Sequence, residues 1–337
     1  MQNVKVLILN WNGVSHLARF LPSVVANTPP QAGIAVADNG STDDSVALLE
    51  REFPSVEIIR LDRNYGFAGG YNRAVERIEA EYMVLLNSDV ETPEGWLGPL
   101  VRTLDENPDV AVVAPKLLSY SDKSRFEYAG AAGGYIDWLG YPFCRGRVMQ
   151  RIETDRGQYD DACDVFWASG AAFCCRRDAF VAAGGFDADF FAHMEEIDLC
   201  WRLQIAGWRI RVEPQSVVYH LGGGTLPVAS PSKMFYNHRN NLMMLYKCAT
   251  PVQRAVVAAV RPLLDMAAAL SYLAGGSWGG FCAVFRAWRE FLAAHRTLAA
   301  KRRAIMQMRR DDPSRDISPR HILRGSIIIR TLLGIKK

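Results

Sequence analysis

The sequence lacks the cysteine pattern that marks disulfide-rich or zinc-binding proteins. Its 337 residues include seven cysteines, an odd number, and contain no CxxC pair. We therefore expect neither a disulfide framework nor a zinc site, and buried reduced thiols are the simplest interpretation. The first residues also lack a charged region, a longer apolar region and a cleavage site in succession. This predicts no signal peptide, and we expect the bulk of the chain to stay in the cytosol.

A dinucleotide-binding fingerprint is missing as well. The glycine-rich residues 64–72 do not read GxGxxG, and they follow the third predicted strand and not the first. This disfavours a dehydrogenase that transfers hydride. The residues after the first strand, Asn10 to Gly13, are not the glycine-rich basic loop of a nucleotidyltransferase, so that class is disfavoured too.

Net charge is small but unevenly distributed. The whole chain carries +3, whereas residues 251–337 contain 16 Lys and Arg against 5 Asp and Glu, a net +11 that leaves −8 on residues 1–250. Leu, Ile, Phe and Trp are interleaved with these basic residues. That mixture favours an anionic lipid surface over nucleic acid as the partner, and we expect no nucleic-acid binding.

One apolar segment lies inside this basic region. Residues 266–285 carry no charge and are long enough to span a bilayer, but Gly275-Gly276 and Gly279-Gly280 interrupt them. Apolar residues then recur at helical spacing with arginines between them. A basic amphipathic helix lying in the membrane interface is the favoured interpretation. A true span and a pair of helices packed on the core are the alternatives.

Strands and helices alternate through the first half of the chain. We predict strands at residues 4–9, 33–37, 56–61 and 82–86, and helices at 13–27, 42–53 and 69–79, with Ser41 and Thr42 capping the second helix. A loop-rich middle is expected to about residue 161, followed by core segments at 165–175, 190–207 and 209–219. This order predicts an α/β fold with a mostly parallel central sheet.

The predicted strands of the first half all end in polar residues. Parallel sheets bind ligands beyond the carboxyl ends of their strands, so we expect these ends on one rim. Asp89 there could hold a divalent cation that bridges a diphosphate, with a turn or helix cap as the alternative. Asp38 could accept the N3–H of a pyrimidine base, with the same alternative. His220 precedes three glycines that let backbone N–H groups approach phosphate, although a lone histidine is often structural.

An acidic cluster opens the helix predicted within residues 190–207. The helix dipole accounts for one or two acids at such a position, but Glu195, Glu196 and Asp198 make three. Helical spacing puts Glu195 and Asp198 on one face and turns Glu196 aside. A carboxylate here could act as a general base, and an unperturbed glutamate, with a pKa of about 4.3, would be ionised at neutral pH.

Taken together, these segments resemble glycosyltransferase family 2, which has the GT-A fold. The resemblance covers about residues 4–247 and rests on five ordered segments, at residues 9–12, 37–43, 64–72, 86–89 and 194–202. Residues 64–72 look most like the rhamnosyltransferase-like subgroup, which builds bacterial surface polysaccharides. The resemblance implies an inverting enzyme that moves a sugar from a nucleoside-diphosphate donor to a lipid-linked or other saccharide acceptor. The favoured donor is dTDP-rhamnose, followed by UDP-sugars.

The resemblance also implies residue roles. Asp38 matches the residue that contacts the base, Asp89 and His220 would bind Mg²⁺ or Mn²⁺, and Glu196, with Asp198 as alternative, would be the base. Further substrate-binding positions are Asn10, Asn12, Asn64, Gly69, Asn72, Asn87, Trp167, Ser169, Glu195 and Arg239. Two departures stand out, because Asn87 replaces the first acid of the DxD motif and Glu196 replaces an aspartate.

These observations divide the chain into two predicted parts. Residues 1–250 are expected to form the GT-A catalytic domain, and residues 251–337 a basic, apolar helical extension. We expect the extension to hold the protein peripherally on the inner, cytoplasmic face of the cell membrane. Two alternatives remain, a nucleotidyltransferase and a membrane scaffold that binds sugar nucleotides without catalysis. The scaffold would keep Asp38 yet not need Glu196 and His220.

Overall fold

A computed structural model describes residues 3–222, 230–310 and 322–323. The strands are β1 (Val4–Asn10), β2 (Gly33–Asp38), β3 (Glu57–Arg60), β4 (Tyr82–Asn87), β5 (Val90–Glu91), β6 (Val110–Ser119), β7 (Gly134–Asp137), β8 (Pro142–Cys144), β9 (Arg147–Val148), β10 (Arg151–Ile152), β11 (Cys163–Val165), β12 (Ala172–Arg176), β13 (Arg209–His220) and β14 (Ile322–Leu323). The α-helices are α1 (Val14–Asn27), α2 (Ser45–Glu52), α3 (Gly66–Val75), α4 (Leu97–Glu106), α5 (Arg177–Ala182), α6 (Glu195–Ile205), α7 (Pro231–Cys248), α8 (Pro251–Ala274), α9 (Trp278–Ala293) and α10 (His295–Arg310).

A mixed sheet of nine of these strands forms the centre of the described fold. Its order is β11, β13, β6, β12, β4, β1, β2, β3, and β5 pairs with the end of β13. Strands β1 to β4 run parallel, whereas β12 is inserted antiparallel between β4 and β6. The predicted α/β fold with a mostly parallel sheet is confirmed.

The core lies on both faces of this sheet, because its central strands are buried on both sides. Val6 and Ile8 of β1 pack with Leu17 and Leu100 from helices on one face. Leu7 points the other way and belongs to the cluster that contains Tyr71 of α3. Near-continuous apolar runs in strands are typical of parallel sheets that helices cover on both sides.

Several predicted elements are wrong in extent, among them the helix predicted at residues 69–79, which is α3 at Gly66–Val75. The middle of the chain is not loop-rich throughout, since residues 97–119 form α4 and the fully internal strand β6. Helix α2 begins at Ser45 and not at Thr42. Its predicted caps are engaged elsewhere, because the Ser41 hydroxyl and the Thr42 N–H hydrogen-bond to Asn12.

The glycine pairs of the apolar segment have different structural effects. Helix α8 ends at Ala274, and Gly276 has a φ of +77°, so the first pair ends the helix as predicted. Gly279 and Gly280 instead lie in the first turn of α9. A Cβ at Gly279 would lie 2.7 Å from the Pro231 ring, so this glycine lets α9 pack closely against the start of α7.

Buried ion pairs join α6, α7 and α10. Lys247 of α7 lies 2.8 Å from Asp198 of α6 and also pairs with Asp187, while Lys301 of α10 pairs with Asp187 and lies 2.7 Å from Asp189. Burial alone would raise the pKa of Asp187, but Lys247 and Lys301 together hold that pKa well below its usual value. The C-terminal helices are thus bonded to the segment that precedes α6.

We predict that Lys247→Met destabilises the protein by about 3 kcal/mol. The reason is that removing one partner of a buried pair leaves charge without full compensation. Urea unfolding monitored by circular dichroism measures this loss. Lys123→Met is the matched control, because Lys123 forms an exposed pair with Glu91 and should cost less than about 1 kcal/mol. Equal losses in the two variants would contradict the assignment.

Candidate active site

The loops that follow β1 and β2 are joined by hydrogen bonds between side chains and backbone. Asn10 donates to Asp38 at 3.3 Å and to the Ser41 hydroxyl at 3.2 Å. The Asn12 N–H donates to Ser41 at 2.9 Å, and the Asn12 side chain accepts from the Thr42 N–H at 2.7 Å. Asn12 has a φ of +49°, and this network fixes it in that left-handed conformation.

The loop after β3 is attached to the same rim through Asn39. Its amide donates to the Asn64 side chain at 3.1 Å and to the Gly66 carbonyl at 3.0 Å, and its oxygen accepts from the Tyr65 N–H. Three strand ends are therefore held as one polar surface. This is the arrangement expected at the carboxyl edge of a parallel sheet.

Asp89 and His220 meet because β5 pairs antiparallel with the end of β13. The register sets His220 opposite Val90, and the Leu221 N–H donates to the Asp89 carbonyl at 3.0 Å. His220 Nε2 lies 3.2 Å from the Asp89 carboxylate, and Nδ1 lies 3.3 Å from buried Glu127. One imidazole thus joins two carboxylates that are 38 positions apart in the sequence.

Charge coupling in this triad outweighs burial. Burial lowers the pKa of His220, but Asp89 and Glu127 outweigh it and raise that pKa to about 10. Burial raises the pKa of Asp89, yet the His220 imidazole brings it below the usual value. The triad is therefore held as a charged group at the wall of a cavity.

The segment before α6 is strained and is held by α7. Phe191, His193 and Met194 all have positive φ, at 60°, 69° and 71°. Each such residue costs of order 1–3 kcal/mol and persists when surrounding contacts over-determine it. The buried Asn240 amide donates to the carbonyls of residues 190, 192 and 193 at 3.0, 2.9 and 2.7 Å. We call this set of bonds the Asn240 clamp.

Two glutamates follow the strained segment directly. Glu195 is 5% exposed, and one of its oxygens has no hydrogen-bond partner among the described residues. Glu196 is partly buried, and burial raises its pKa to about 7. Burial also raises the pKa of Glu195, with the neighbouring Glu196 charge adding to it. The fold thus raises the pKa of Glu196 above that of an unperturbed glutamate, because burial disfavours the charged carboxylate.

Two cavities meet at this place. The strand-end cavity, of about 490 Å³, is lined by Leu9, Trp11, Asn12, Gly13, His16, Asn39, Asn64, Gly66, Phe67, Asn87, Ser88, Asp89, Phe191, Ala192, Ser232 and Tyr236. The acidic cavity, of about 160 Å³, is lined by Phe67, Asn87, Asp89, Ala129, Ser169, Gly170, Ala171, Ala192, His193, Glu195, Glu196, His220 and Lys233. They share a wall that contains Asn87 and Asp89. The larger volume is in the range of small-molecule binding sites.

The structure brings eight of the predicted site residues to these cavities. They are Asn12, Asn64, Asn87, Asp89, Ser169, Glu195, Glu196 and His220. Asn10, Asp38, Gly69, Asn72, Trp167, Asp198 and Arg239 line neither cavity. Asp38 and Asn10 nevertheless support the polar rim, because both form hydrogen bonds with Ser41.

Asp198 is unsuited to act as the base. It is fully buried and pairs with Arg202 at 2.8 Å as well as with Lys247. The two cations occupy its oxygens, so the alternative that made Asp198 the base is corrected. The i, i+3 spacing did place Glu195 and Asp198 on one face, but the segment before α6 decides which acids reach a cavity.

Three predicted substrate contacts are structural in this fold. Arg239 donates to the carbonyls of Asp189 and Phe190 and pairs with Glu290, so it supports the strained segment and not a diphosphate. The side chain of Asn72 exchanges two hydrogen bonds with the Phe186 backbone. The Trp167 indole donates to the Tyr135 carbonyl.

Sequence reasoning missed several cavity residues. Lys233 belongs to no motif and follows no strand end, so no local pattern marks it, and the same holds for Glu127, which contacts His220 but lines neither cavity. His16 and Tyr236 lie on helices whose spacing indicates packing. Tyr236 stacks on Phe191, with ring centroids 5.8 Å apart, and so joins α7 to the strained segment. Positive-φ residues that are not glycine leave no signature in a sequence.

The donor atoms at the shared wall fit a divalent cation whose coordination shell would be completed by a substrate. Among the described residues, no three His, Cys, Asp or Glu side chains form a closed metal site. Asp89 and His220 lie within 3.2 Å of each other and face the acidic cavity, so they could supply a carboxylate and, after loss of the Nε2 proton, an imidazole nitrogen. An ion held there would need further oxygen ligands. Catalytic ions generally obtain such ligands from water and from the phosphates of the substrate.

Comparison with known proteins decides the family. Residues 5–181 match the family model described as glycosyl transferase family 2, which is more than half of the chain. The chain belongs to glycosyltransferase family 2. It is thus a glycosyltransferase that uses a nucleotide-sugar donor, and the resemblance drawn from its motifs is confirmed.

One curated relative of this family 2 glycosyltransferase is N-acetylglucosaminyl-diphospho-decaprenol L-rhamnosyltransferase of Mycobacterium tuberculosis. The two are 25% identical over 261 residues, which cover 71% of this chain and 83% of the relative. The similarity supports a rhamnosyltransferase-like protein. That relative's name specifies a lipid-linked N-acetylglucosamine acceptor for that enzyme.

Solved structures share the fold. GalNAc-T7 with UDP, GalNAc and Mn²⁺ superposes with a TM-score of 0.60 at 18% identity, covering 78% of this chain and 51% of that one. The mannosyltransferase PcManGT from Pyrobaculum calidifontis, with GDP-Man and Mn²⁺, gives 0.52 at 14% identity, covering 99% and 88%. At these identities the likeness shows the GT-A-like fold.

We predict that Asn240→Ala lowers turnover by at least about tenfold, because releasing the clamp moves the glutamates, and small misplacements are costly. Sugar transfer under saturating donor measures it. Asn27→Ala is the matched control, since Asn27 also donates to a backbone carbonyl, that of Thr92, but away from both cavities. Equal turnover in the two variants, at equal thermal stability, would show that the clamp does not position the site.

Proposed function

We propose that this enzyme is an inverting rhamnosyltransferase of bacterial surface polysaccharide assembly. It takes dTDP-rhamnose as the favoured donor, or alternatively a UDP-sugar, and glycosylates a lipid-linked saccharide. The observation that carries the proposal is the wall shared by the two cavities, with Asp89 on it and Glu196 in the smaller cavity. A donor diphosphate in the strand-end cavity and an acceptor hydroxyl in the acidic cavity could thus approach the anomeric carbon of the donor sugar from opposite sides.

The donor is assigned to the strand-end cavity. Asn12 and Asn64 offer amide N–H groups there, and Trp11, which is 50% exposed, offers an aromatic face. Asp38 accepts one hydrogen bond on each oxygen, from Asn10 and from the Ser41 N–H. A carboxylate has about four lone-pair sites, so a base N3–H could still be accepted by Asp38. That role stays a proposal.

The metal is assigned to Asp89 and His220. Mg²⁺ or Mn²⁺ held there would neutralise charge on the departing diphosphate. Asn87 replaces the first acid of the motif, so the site has one anionic ligand fewer and we expect weaker metal affinity. Glu127 on the other ring nitrogen orients the imidazole, as second-sphere carboxylates commonly do.

The base is assigned to Glu196. Its carboxylate accepts the proton of the acceptor hydroxyl while that oxygen bonds to the anomeric carbon. The bond from this carbon to the phosphate oxygen breaks in the same step, and the nucleoside diphosphate leaves. A single displacement inverts the anomeric configuration. A non-catalytic scaffold would need the strand-end cavity but not this carboxylate.

We assign the membrane contact to the exposed face of α8 and α9. From Ala255 to Phe285 the charged residues are Arg261 and Asp265, and these are buried in a pair 3.2 Å apart. The large side chains exposed on this face are Val252, Leu263, Met266, Leu270, Leu273, Trp278 and Phe285. Exposed apolar side chains on two helices that pack against each other favour an interaction site here.

The same helices favour lying on a bilayer over crossing it. Among the described helices, α8 is the one long and apolar enough to span, with a mean hydropathy of 1.5. Arg261 however donates to the Leu139 carbonyl and to Asn241, which fixes one face of α8 on the catalytic domain. Exposed Arg286, Arg289 and Arg296 flank the apolar face and would meet anionic headgroups. We infer peripheral attachment on the cytoplasmic side.

We predict that Glu196→Gln lowers turnover by at least about a hundredfold, because the amide cannot take a proton. In the native enzyme, turnover should fall as pH drops through about 7, since protonated Glu196 cannot act as base. Product formation against pH measures both effects.

Donor binding is the control for this prediction. Thermal shifts with dTDP-rhamnose, UDP-sugars and GDP-sugars, in Mn²⁺, should be the same for Glu196→Gln and the native enzyme. The panel also ranks the donors. Near-native turnover in the variant would remove Glu196 from the mechanism.

We predict that the pair Leu263→Glu and Leu270→Glu abolishes sedimentation with phosphatidylglycerol vesicles. Both side chains are largely exposed, at 73% and 54%, so charge there opposes insertion without disturbing the core. Val181→Glu is the control, because Val181 is 51% exposed on α5, away from this face. Unchanged sedimentation of the double variant would place the membrane contact elsewhere.

A further inference from the structure

Lys233 occupies a position that helix energetics disfavour. Helix α7 begins at Pro231, and the capping Ser230 hydroxyl accepts a hydrogen bond from the Lys233 N–H. Lys233 therefore lies in the first turn, which contains no acid. The helix dipole favours negative charge at this end and opposes a cation. A lysine that costs stability at such a place calls for a compensating interaction.

Other cations of α7 have that compensation and Lys233 does not. Arg239 pairs with Glu290, and Lys247 pairs with Asp187 and Asp198. Lys233 forms neither an ion pair nor a side-chain hydrogen bond with any residue that the structure describes. It is nevertheless partly buried, and burial lowers its pKa although the charge of Glu127 opposes this.

The side chain lines the acidic cavity close to the proposed metal site. Asn87, Asp89 and His220 line the same cavity, and the neighbours Ser232 and Tyr236 line the strand-end cavity. The start of α7 thus reaches both cavities where they meet. Glu195 supplies a second unsatisfied group, since its buried oxygen has no partner among the described residues. This wall is built to receive a polar ligand.

We propose that Lys233 binds the diphosphate of the donor and stabilises it as the leaving group. This inference rests on the proposed function. The ammonium donates to a non-bridging phosphate oxygen and stays protonated, so it offsets charge that grows as the bond to the anomeric carbon breaks. Asn87 leaves the metal site one anion short and its ion less firmly held. A fixed lysine supplies positive charge that does not depend on metal occupancy.

A lipid-linked acceptor also carries a diphosphate, which makes it a second source of the same chemistry. The donor is favoured because Lys233 lines the same cavity as Asp89 and His220, the groups assigned to the leaving diphosphate. The acceptor would place at Glu196 the hydroxyl that is to be glycosylated. The diphosphate of the acceptor is attached at the opposite end of the acceptor sugar. The test therefore separates donor from acceptor.

The test is calorimetric binding of dTDP and of thymidine to Lys233→Met and to the native enzyme, with and without Mn²⁺. We expect the Kd for dTDP to rise about tenfold with Mn²⁺, and by more without it, while thymidine binding is unchanged. Lys233→Arg should recover most of the dTDP affinity, because it retains the charge. If the donor panel ranks UDP first, UDP and uridine replace these ligands.

Several results would overturn the inference. Unchanged dTDP binding by Lys233→Met overturns it, and so does a rise confined to the KM of the lipid-linked acceptor, which would assign Lys233 to that diphosphate. The apo variant should unfold at the native temperature or above, because the dipole penalty is removed. If the native enzyme bound no nucleoside diphosphate, the proposed function itself would fail, and the two failures are thereby distinguishable.

Discussion

The short antiparallel pairing between β5 and the end of β13 is the contact on which the site depends. It is two residues long in β5, yet it brings His220 to Asp89 from the other end of the domain. Without it, the carboxylate at the end of β4 would have no imidazole partner. Glu127, which holds the other ring nitrogen, comes from the loop after β6. Three separate parts of the chain thus come together at His220, which contributes one of them and contacts Asp89 and Glu127 from the other two.

Rigidity in the rest of the site comes from a different device. The glutamates stand on a segment with three residues in left-handed conformations, which would relax if it were free. Asn240 and Arg239 of α7 bind its carbonyls, and Lys247 and Lys301 bind Asp187 just before it. Helices α7 and α10 are therefore bonded to the segment that carries the glutamates, although composition alone divides the chain near residue 250.

The alternating strands and helices and the polar strand ends could be predicted from the sequence. Features that depend on contacts between distant residues could not. Strand ends such as Asn87 and Asp89 follow from apolar runs that stop at polar residues, and a parallel sheet places such ends together. Helix α4 and strand β6 were overlooked in a region judged by its glycines and aromatics. Asp198 appeared equivalent to Glu196 in the sequence. Its exclusion depends on Lys247, which is 49 positions away and not visible in any motif.

The close approach of α9 to α7 has a consequence for how the acceptor arrives. Gly279 lets the start of α9 press against Pro231, and the next residues of α7 line both cavities. Trp278, on the apolar face, is adjacent to that contact. A face seated on a bilayer would hold the cavity entrance at the headgroup layer. For the proposed lipid-linked acceptor, encounter would then be a two-dimensional search, governed by the number of acceptor molecules per unit area of membrane and not by their number per unit volume of solution.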